Sequence, residues 1–168
     1  YKKAIKQGIK PILGCEIYVS VGNHKGRILN KDSKGKKWNY HHLVLLCMNE
    51  IGYKNLMKLV SIGYLEGFYY RPRVDKELLK QYNEGLIATS ACLAGEVTHY
   101  ASIDDYDNAK KAAIEYSEIF PDRFYLELQN HDIPEEKQAH KILKKLSQDL
   151  ELPLICTNDC HYAYEDHW

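Results

Sequence analysis

Asp159 and His161 close a short apolar run, Leu154-Ile155-Cys156-Thr157-Asn158-Asp159-Cys160-His161, and their side chains are of the kinds that grip a divalent cation. A carboxylate oxygen and an imidazole nitrogen suit zinc or manganese. In an extended backbone, residues two apart point to one side, so both could reach the same ion. The pair also makes an ordinary turn, with Asn158 and Asp159 bonding to their own backbone and His161 a bystander, and taken alone it reads that way first. Glu16 is a second candidate, because it interrupts the apolar sequence Ile12-Leu13-Gly14-Cys15-Glu16-Ile17-Tyr18-Val19. A carboxylate in a covered strand costs several kcal/mol unless a cation or hydrogen bonds compensate it. On an edge strand it would face solvent or pair with a lysine. His42, Cys92 and His131 complete the set. Cys92 would bind as a thiolate, although a lone cysteine is more commonly a small buried apolar residue.

The elements that must position these residues alternate along the chain. Ile12 to Val19 and His42 to Met48 read as strands, followed by a helix from Ile51 to Leu65. A short helix from Asp75 to Tyr82, with Asp75 as N-cap, leads through Asn83-Glu84-Gly85 into the strand Leu86 to Thr89. Tyr106 to Phe120 reads as a helix, Phe124 to Gln129 as a strand, Pro134 to Leu150 as a helix with proline in its first turn, and Leu154 to Thr157 as the last strand. Such alternation predicts an α/β domain with a mostly parallel sheet, open or closed into a barrel. Candidate ligands then follow successive strand ends: Cys92, His131, and Asp159 with His161, on one rim. If the first two strands form an antiparallel hairpin, Glu16 and His42 meet, and His41 points to the other face. His24, His99, His140 and His167 fall in loops or helices without partners and read as structural or solvated.

Composition narrows the classes. Basic and acidic side chains balance at 23 each, so nucleic-acid contact needs a local patch. Lys25, Arg27, Lys31, Lys34, Lys36 and Lys37 form one cluster, read as a solvated loop. Tyr69-Tyr70-Arg71-Pro72-Arg73 forms another, which could touch a phosphate backbone through Arg71 and Arg73 or pack internally around Pro72. Five cysteines without paired spacing or an apolar leader read as reduced thiols of a cytoplasmic protein. No apolar run approaches the ~20 residues that span a bilayer, and no glycine-rich phosphate fingerprint follows a strand. The chain opens at Tyr1 inside a helix-like pattern and stops where another helix would begin. It therefore reads as a single domain over 1–168, cut from something longer and truncated at its N-terminal side.

Six segments together carry a resemblance: Gly14 to Val19, His42 to Leu46, Glu66-Gly67-Phe68-Tyr69-Tyr70-Arg71-Pro72-Arg73-Val74-Asp75, Ser90-Ala91-Cys92-Leu93-Ala94-Gly95-Glu96, Leu126-Glu127-Leu128-Gln129-Asn130-His131, and Thr157 to Tyr162. In order and over nearly the whole chain they resemble the PHP (polymerase and histidinol phosphatase) domain family, in the branch carried by the bacterial replicative DNA polymerase III alpha subunit. The resemblance implies part of a distorted (β/α)7 barrel lacking its first strands. It implies zinc or manganese ions held by Glu16, His42, Cys92, Asp159 and His161, with His131 supporting the ligands or facing substrate. The activity it implies is metal-dependent 3′–5′ exonuclease or phosphoesterase proofreading, with the metal cluster activating water. This would occur within a DNA-directed DNA polymerase, a nucleotidyltransferase of chromosomal replication. Implied partners are DNA, the rest of the polymerase chain, a proofreading subunit and the sliding clamp. The family's opening His-x-His and Asp-His motifs are absent from this sequence, so the fragment alone is expected to be inactive. A non-catalytic module that braces the polymerase and docks a proofreading subunit is the other implied role.

Overall fold

The structure, a computed structural model, describes residues 1–31 and 37–167. A short helix, α1 (Lys2–Lys6), precedes β1 (Gly14–Ser20); β2 (Asn30–Lys31) and β3 (Lys37–Trp38) pair as a small ribbon before β4 (Tyr40–Cys47). Then come α2 (Glu50–Leu65), β5 (Arg73–Val74), α3 (Lys76–Gln81), β6 (Leu86–Thr89), α4 (Glu96–Ser102), α5 (Tyr106–Ile119), β7 (Phe124–Gln129), α6 (Pro134–Leu150) and β8 (Leu154–Thr157). Caps explain several of these starts. Asn49 accepts from the Gly52 amide at 3.0 Å, Asp75 from Leu78 at 2.9 Å and Asp105 from Asn108 at 3.2 Å, each satisfying an amide that the helix leaves free. α6 instead begins with Pro134, followed by Glu135 and Glu136, and ends on Glu151 in a left-handed conformation.

The sheet has six strands in the order β5-β1-β4-β6-β7-β8. β4 runs antiparallel to both neighbours, β1 and β6, whereas the pairs β1/β5, β6/β7 and β7/β8 are parallel. Five strands therefore share one direction and β4 is inserted against them. This is the expected α/β sheet with its hairpin. The sheet is not closed, consistent with part of a barrel.

Alternation along each strand builds the core. Ile17 and Val19 of β1, Leu43 and Leu45 of β4, Leu86 and Ala88 of β6, and Phe124 and Leu126 of β7 are buried on one face of the sheet. They pack with Leu56, Leu59, Leu79, Tyr116, Leu143 and Leu146 of the helices. Each such aliphatic or aromatic side chain contributes about 1.5–3 kcal/mol by leaving water. The opposite face carries the alternate residues, including Glu16, Tyr18, His42 and Val44, and these positions hold the chemistry.

The expected elements are present with small shifts. β1 begins at Gly14; Ile12 and Leu13 before it are exposed, with the Leu13 carbonyl still accepting from the Cys47 amide at 2.8 Å. Three features were not anticipated: α4, the two-residue β5 and the β2/β3 ribbon. Lys34 and Lys36 of the basic cluster lie outside the described residues. Lys25, in the same cluster, pairs with Glu66 at 2.7 Å. No helix among the described residues is long and apolar enough to cross a membrane.

Candidate metal centre

The hairpin register places Glu16 opposite Val44 and Tyr18 opposite His42, so Glu16 and His42 form a diagonal pair on one face, within reach of each other. His42 Nδ1 lies 3.0 Å from Glu16 Oε1 and 3.5 Å from Cys92 Sγ. One ligand atom from each of Glu16, His42 and Cys92 lies within 4.8 Å of the other two. Carboxylate, imidazole and thiol in one cluster make a donor set suited to zinc, and the carboxylate and imidazole also suit manganese.

The loop after β6 delivers Cys92. Ala91 adopts φ +56°, a left-handed conformation that costs a non-glycine residue and turns the chain sharply. The Gly95 amide donates to the Cys92 carbonyl at 2.9 Å, and the His42 amide donates to the Ala94 carbonyl at 3.0 Å. A Cβ on Gly95 would sit 1.9 Å from the Ser90 carbonyl oxygen, so only glycine allows this closure. The loop is thereby fastened to the start of β4, which carries His42.

Electrostatics at the cluster are strongly coupled. Burial disfavours the charged imidazolium of His42, yet its hydrogen bonds with Cys92 and Glu16 and the Glu16 charge push its pKa up to about 9. Glu16 moves the other way. The hydrogen bond with His42 lowers its pKa against the opposing effect of burial, and the charges of His42 and His161 lower it further.

Asp159 and His161 are arranged differently from the extended pair expected. Asp159 has φ +47°, so the backbone turns there, and His161 Nδ1 lies 2.8 Å from the Asp159 carbonyl oxygen. Their side chains do not share the triad of Glu16, His42 and Cys92. The Asp159 charge instead acts on His131, whose pKa is raised mainly by its hydrogen bond with Glu136 and then by the Asn158 carbonyl.

His131 is held on three sides. Its Nδ1 lies 2.7 Å from Glu136 Oε1, its amide donates to Glu136 Oε2 at 2.7 Å, and its Nε2 lies 3.0 Å from the Asn158 carbonyl oxygen. Carboxylate support of an imidazole is the usual way a ligand ring is aimed. Glu136, buried in the first turn of α6, was missed in the sequence, where it reads as a helix-dipole acid. Its signal was the spacing, within the first turn of α6 and close after His131.

The Tyr69-to-Arg73 segment divides. Arg71 is exposed, whereas Arg73 is 1% exposed, so the expectation that Arg73 contacts DNA is corrected. Its Nε donates to the Gly67 carbonyl at 3.2 Å, and its Nη2 to those of His24 and Gly26 at 3.1 and 2.8 Å. The ring of Tyr69 covers the guanidinium at 5.2 Å. At 1% exposure the guanidinium is out of reach of a phosphate in solvent. The four histidines expected to lack partners all have them: His24 lies 2.6 Å from Asp75 Oδ2, His140 lies 2.7 Å from the Gln129 carbonyl oxygen, and the rings of His99 and His167 pack against Trp38 and Tyr164 with centroids 4.7 and 5.0 Å apart.

An open α/β sheet, with Glu16 and His42 on one face of the β1/β4 pair and Cys92 in the loop after β6, presents a donor cluster that could hold a metal ion. The chain belongs to the PHP domain family, whose model matches residues 1–131. A protein of Borreliella burgdorferi named DNA polymerase III subunit alpha is 46% identical over 163 residues, covering 97% of this chain and 14% of its own length. Proteins of the same name from Thermus aquaticus and Aquifex aeolicus are 42% and 44% identical, over 99% and 96% of this chain. The chain thus spans 13–14% of the length of these relatives.

Proposed function

We propose that this domain is the metal-bearing PHP module of a DNA polymerase III alpha chain and acts in chromosomal DNA replication. In our reading Glu16, His42 and Cys92 hold a zinc or manganese ion, and Asp159 and His161 complete the site from the far side of the rim. The observation that carries this reading is the convergence of Glu16, His42 and Cys92 within 4.8 Å, in a chain 46% identical to a polymerase of that name. When bound, such an ion supplies a more acidic water and a clamp for a phosphate oxygen. The protein's own part is orientation. The hairpin register aims Glu16 and His42, the Gly95 closure aims Cys92, and Glu136 holds His131 where it faces substrate or supports a ligand. Arg71 stands exposed to contact DNA. The reaction proposed is hydrolysis of a phosphodiester at a 3′ end, a 3′–5′ proofreading activity.

A second reading is favoured by one observation: His42 Nδ1 lies 3.0 Å from Glu16 Oε1, so the two side chains partner each other directly. In that reading the domain is a non-catalytic module that braces the polymerase and docks a proofreading subunit.

Metal content and 3′–5′ hydrolysis of a mismatched primer, measured on the intact polymerase-length protein and its Cys92→Ser variant, separate the two. Stoichiometric zinc or manganese together with activity lost in the variant is the expected result. A protein that takes up no metal, or hydrolysis unchanged by Cys92→Ser, overturns the first reading in favour of the second.

A further inference from the structure

Glu127 lies in the middle of β7 and is 5% exposed. Both carboxylate oxygens are used, and all their donors are neutral. Thr89 of β6 donates to Oε2, and Thr157 of β8 donates to Oε1. Gln129 Nε2 donates to the same Oε1 at 2.9 Å. The residue's own amide donates to Ser90 Oγ at 2.8 Å. Thr89, Ser90 and Gln129 are 3%, 2% and 7% exposed, so their bonds form out of water, where an unmet donor or acceptor is costly; the Thr157 bond is partly buried.

The contacts share a position in the sequence. Thr89 and Ser90 immediately precede the turn at Ala91 that delivers Cys92, Gln129 stands two residues before His131, and Thr157 stands two residues before Asp159. One carboxylate therefore ties together three neighbouring strands at the points where each releases a loop bearing a candidate ligand. An apolar side chain would fill the same space but would leave those strand ends free to shift. From this juxtaposition we propose that Glu127 is a positioning residue for the metal centre: it sets the spacing of the loops that carry Cys92, His131 and Asp159. The link to metal rests on the proposed reading of the site. The positioning of Cys92 does not.

The test therefore has a metal-free arm and a metal arm, both on the intact polymerase-length protein. In chelator-treated protein, alkylation of Cys92 and Cys47 is followed peptide by peptide by mass spectrometry. Cys47 ends β4, away from the carboxylate, and reports general loosening. Glu127→Met, which keeps length and removes the acceptors, is expected to speed alkylation of Cys92 about tenfold with little change at Cys47. Thr89→Val, which cuts one arm without altering shape, is expected to give a smaller acceleration, about threefold, at Cys92 alone. Glu127→Gln, which retains most of the bonds, is expected to stay near the parent rate. In the metal arm, titration with cobalt(II) is expected to show a thiolate-to-cobalt band in the parent and affinity weakened about tenfold in Glu127→Met.

Unchanged protection of Cys92 in both Glu127→Met and Thr89→Val overturns the proposal. So does acceleration of Cys92 and Cys47 in parallel in both variants. A parent protein without a thiolate–cobalt band overturns the metal reading instead, while the alkylation rates still decide the role of Glu127.

Discussion

His41 and His42 are neighbours in one strand and have opposite chemistry. His41 faces the buried side of the sheet, where burial, together with the charges of His99 and Lys76, lowers its pKa to about 4 against the opposing pull of Glu96 and the Ala94 carbonyl. Trp38 Nε1 donates to His41 Nε2 at 2.7 Å, which leaves the proton on Nδ1, 3.3 Å from the Ala94 carbonyl oxygen. That ring is a neutral, hydrogen-bonded part of the core. His42 faces the other side, beside Glu16 and Cys92, with its pKa up to about 9. The two faces of β4 show that residue type alone does not separate a structural histidine from a candidate ligand. The period-two alternation of the strand does, once a carboxylate on the neighbouring strand marks the face.

The contrast can be broken first where burial is greatest. Leu45, 0% exposed, shares the face of His41, and Leu45→Ala is expected to cost about 2–5 kcal/mol in urea unfolding. Val44→Ala, on the His42 face, should cost well under half of that. Equal losses would erase the distinction between the faces. A second test exchanges roles. His42→Gln is expected to weaken zinc binding about 100-fold, whereas His41→Gln stays within about threefold of the parent but loses about 1–2 kcal/mol of stability. Competition with a chelating dye reads the first effect and urea unfolding the second. A larger loss of metal affinity in His41→Gln would reverse the assignment.

A third test uses acidity. The pKa of His41 falls from 6.5 to about 4 on folding, so below pH 6.5 the unfolded chain binds a proton that the folded chain refuses. The stability tied to His41 is complete above pH 6.5. It is lost as pH falls toward 4, at up to about 1.4 kcal/mol per pH unit, and the loss levels off below that. In chelator-treated protein the difference between parent and His41→Gln should narrow and then change sign across this window, and a constant difference would show that His41 is not held neutral. The smallest effect is expected at Arg71→Ala: DNA affinity falls slightly and the logarithmic salt slope decreases by about one. A salt slope equal to the parent's would remove Arg71 from the DNA-facing surface.

Much of this was legible in the sequence, for identifiable reasons. Leu86–Thr89, Phe124–Gln129, Leu154–Thr157 and Pro134–Leu150 lie where the apolar runs and the N-terminal proline put them. The meeting of Glu16 and His42 followed from one assumption, an antiparallel hairpin. α4 was not legible because Glu96–Ser102 is short, and Thr98, His99 and Tyr100 break any apolar stripe. The burial of Arg73 was not legible either, since carbonyls from two separate loops satisfy it and no local pattern records that. The Asp-x-His spacing misled on geometry because Asp159 leaves the extended region. Glu127 carries the same signal as Glu16, an acid inside an apolar strand.

Arg73 also bears on the order of assembly. Its guanidinium joins the carbonyls of His24 and Gly26 to that of Gly67, and Ser20 Oγ reaches the Val74 carbonyl at 3.1 Å across 54 residues. Contacts so distant along the chain carry a large loop-closure entropy and consolidate late. The docking of β5 beside β1 is therefore expected to follow the β1/β4 hairpin in time. Arg73→Met should accordingly speed unfolding far more than it slows folding. Arg73, in the segment that looked most like a surface for nucleic acid, is thus expected to act as a kinetic latch on the finished sheet.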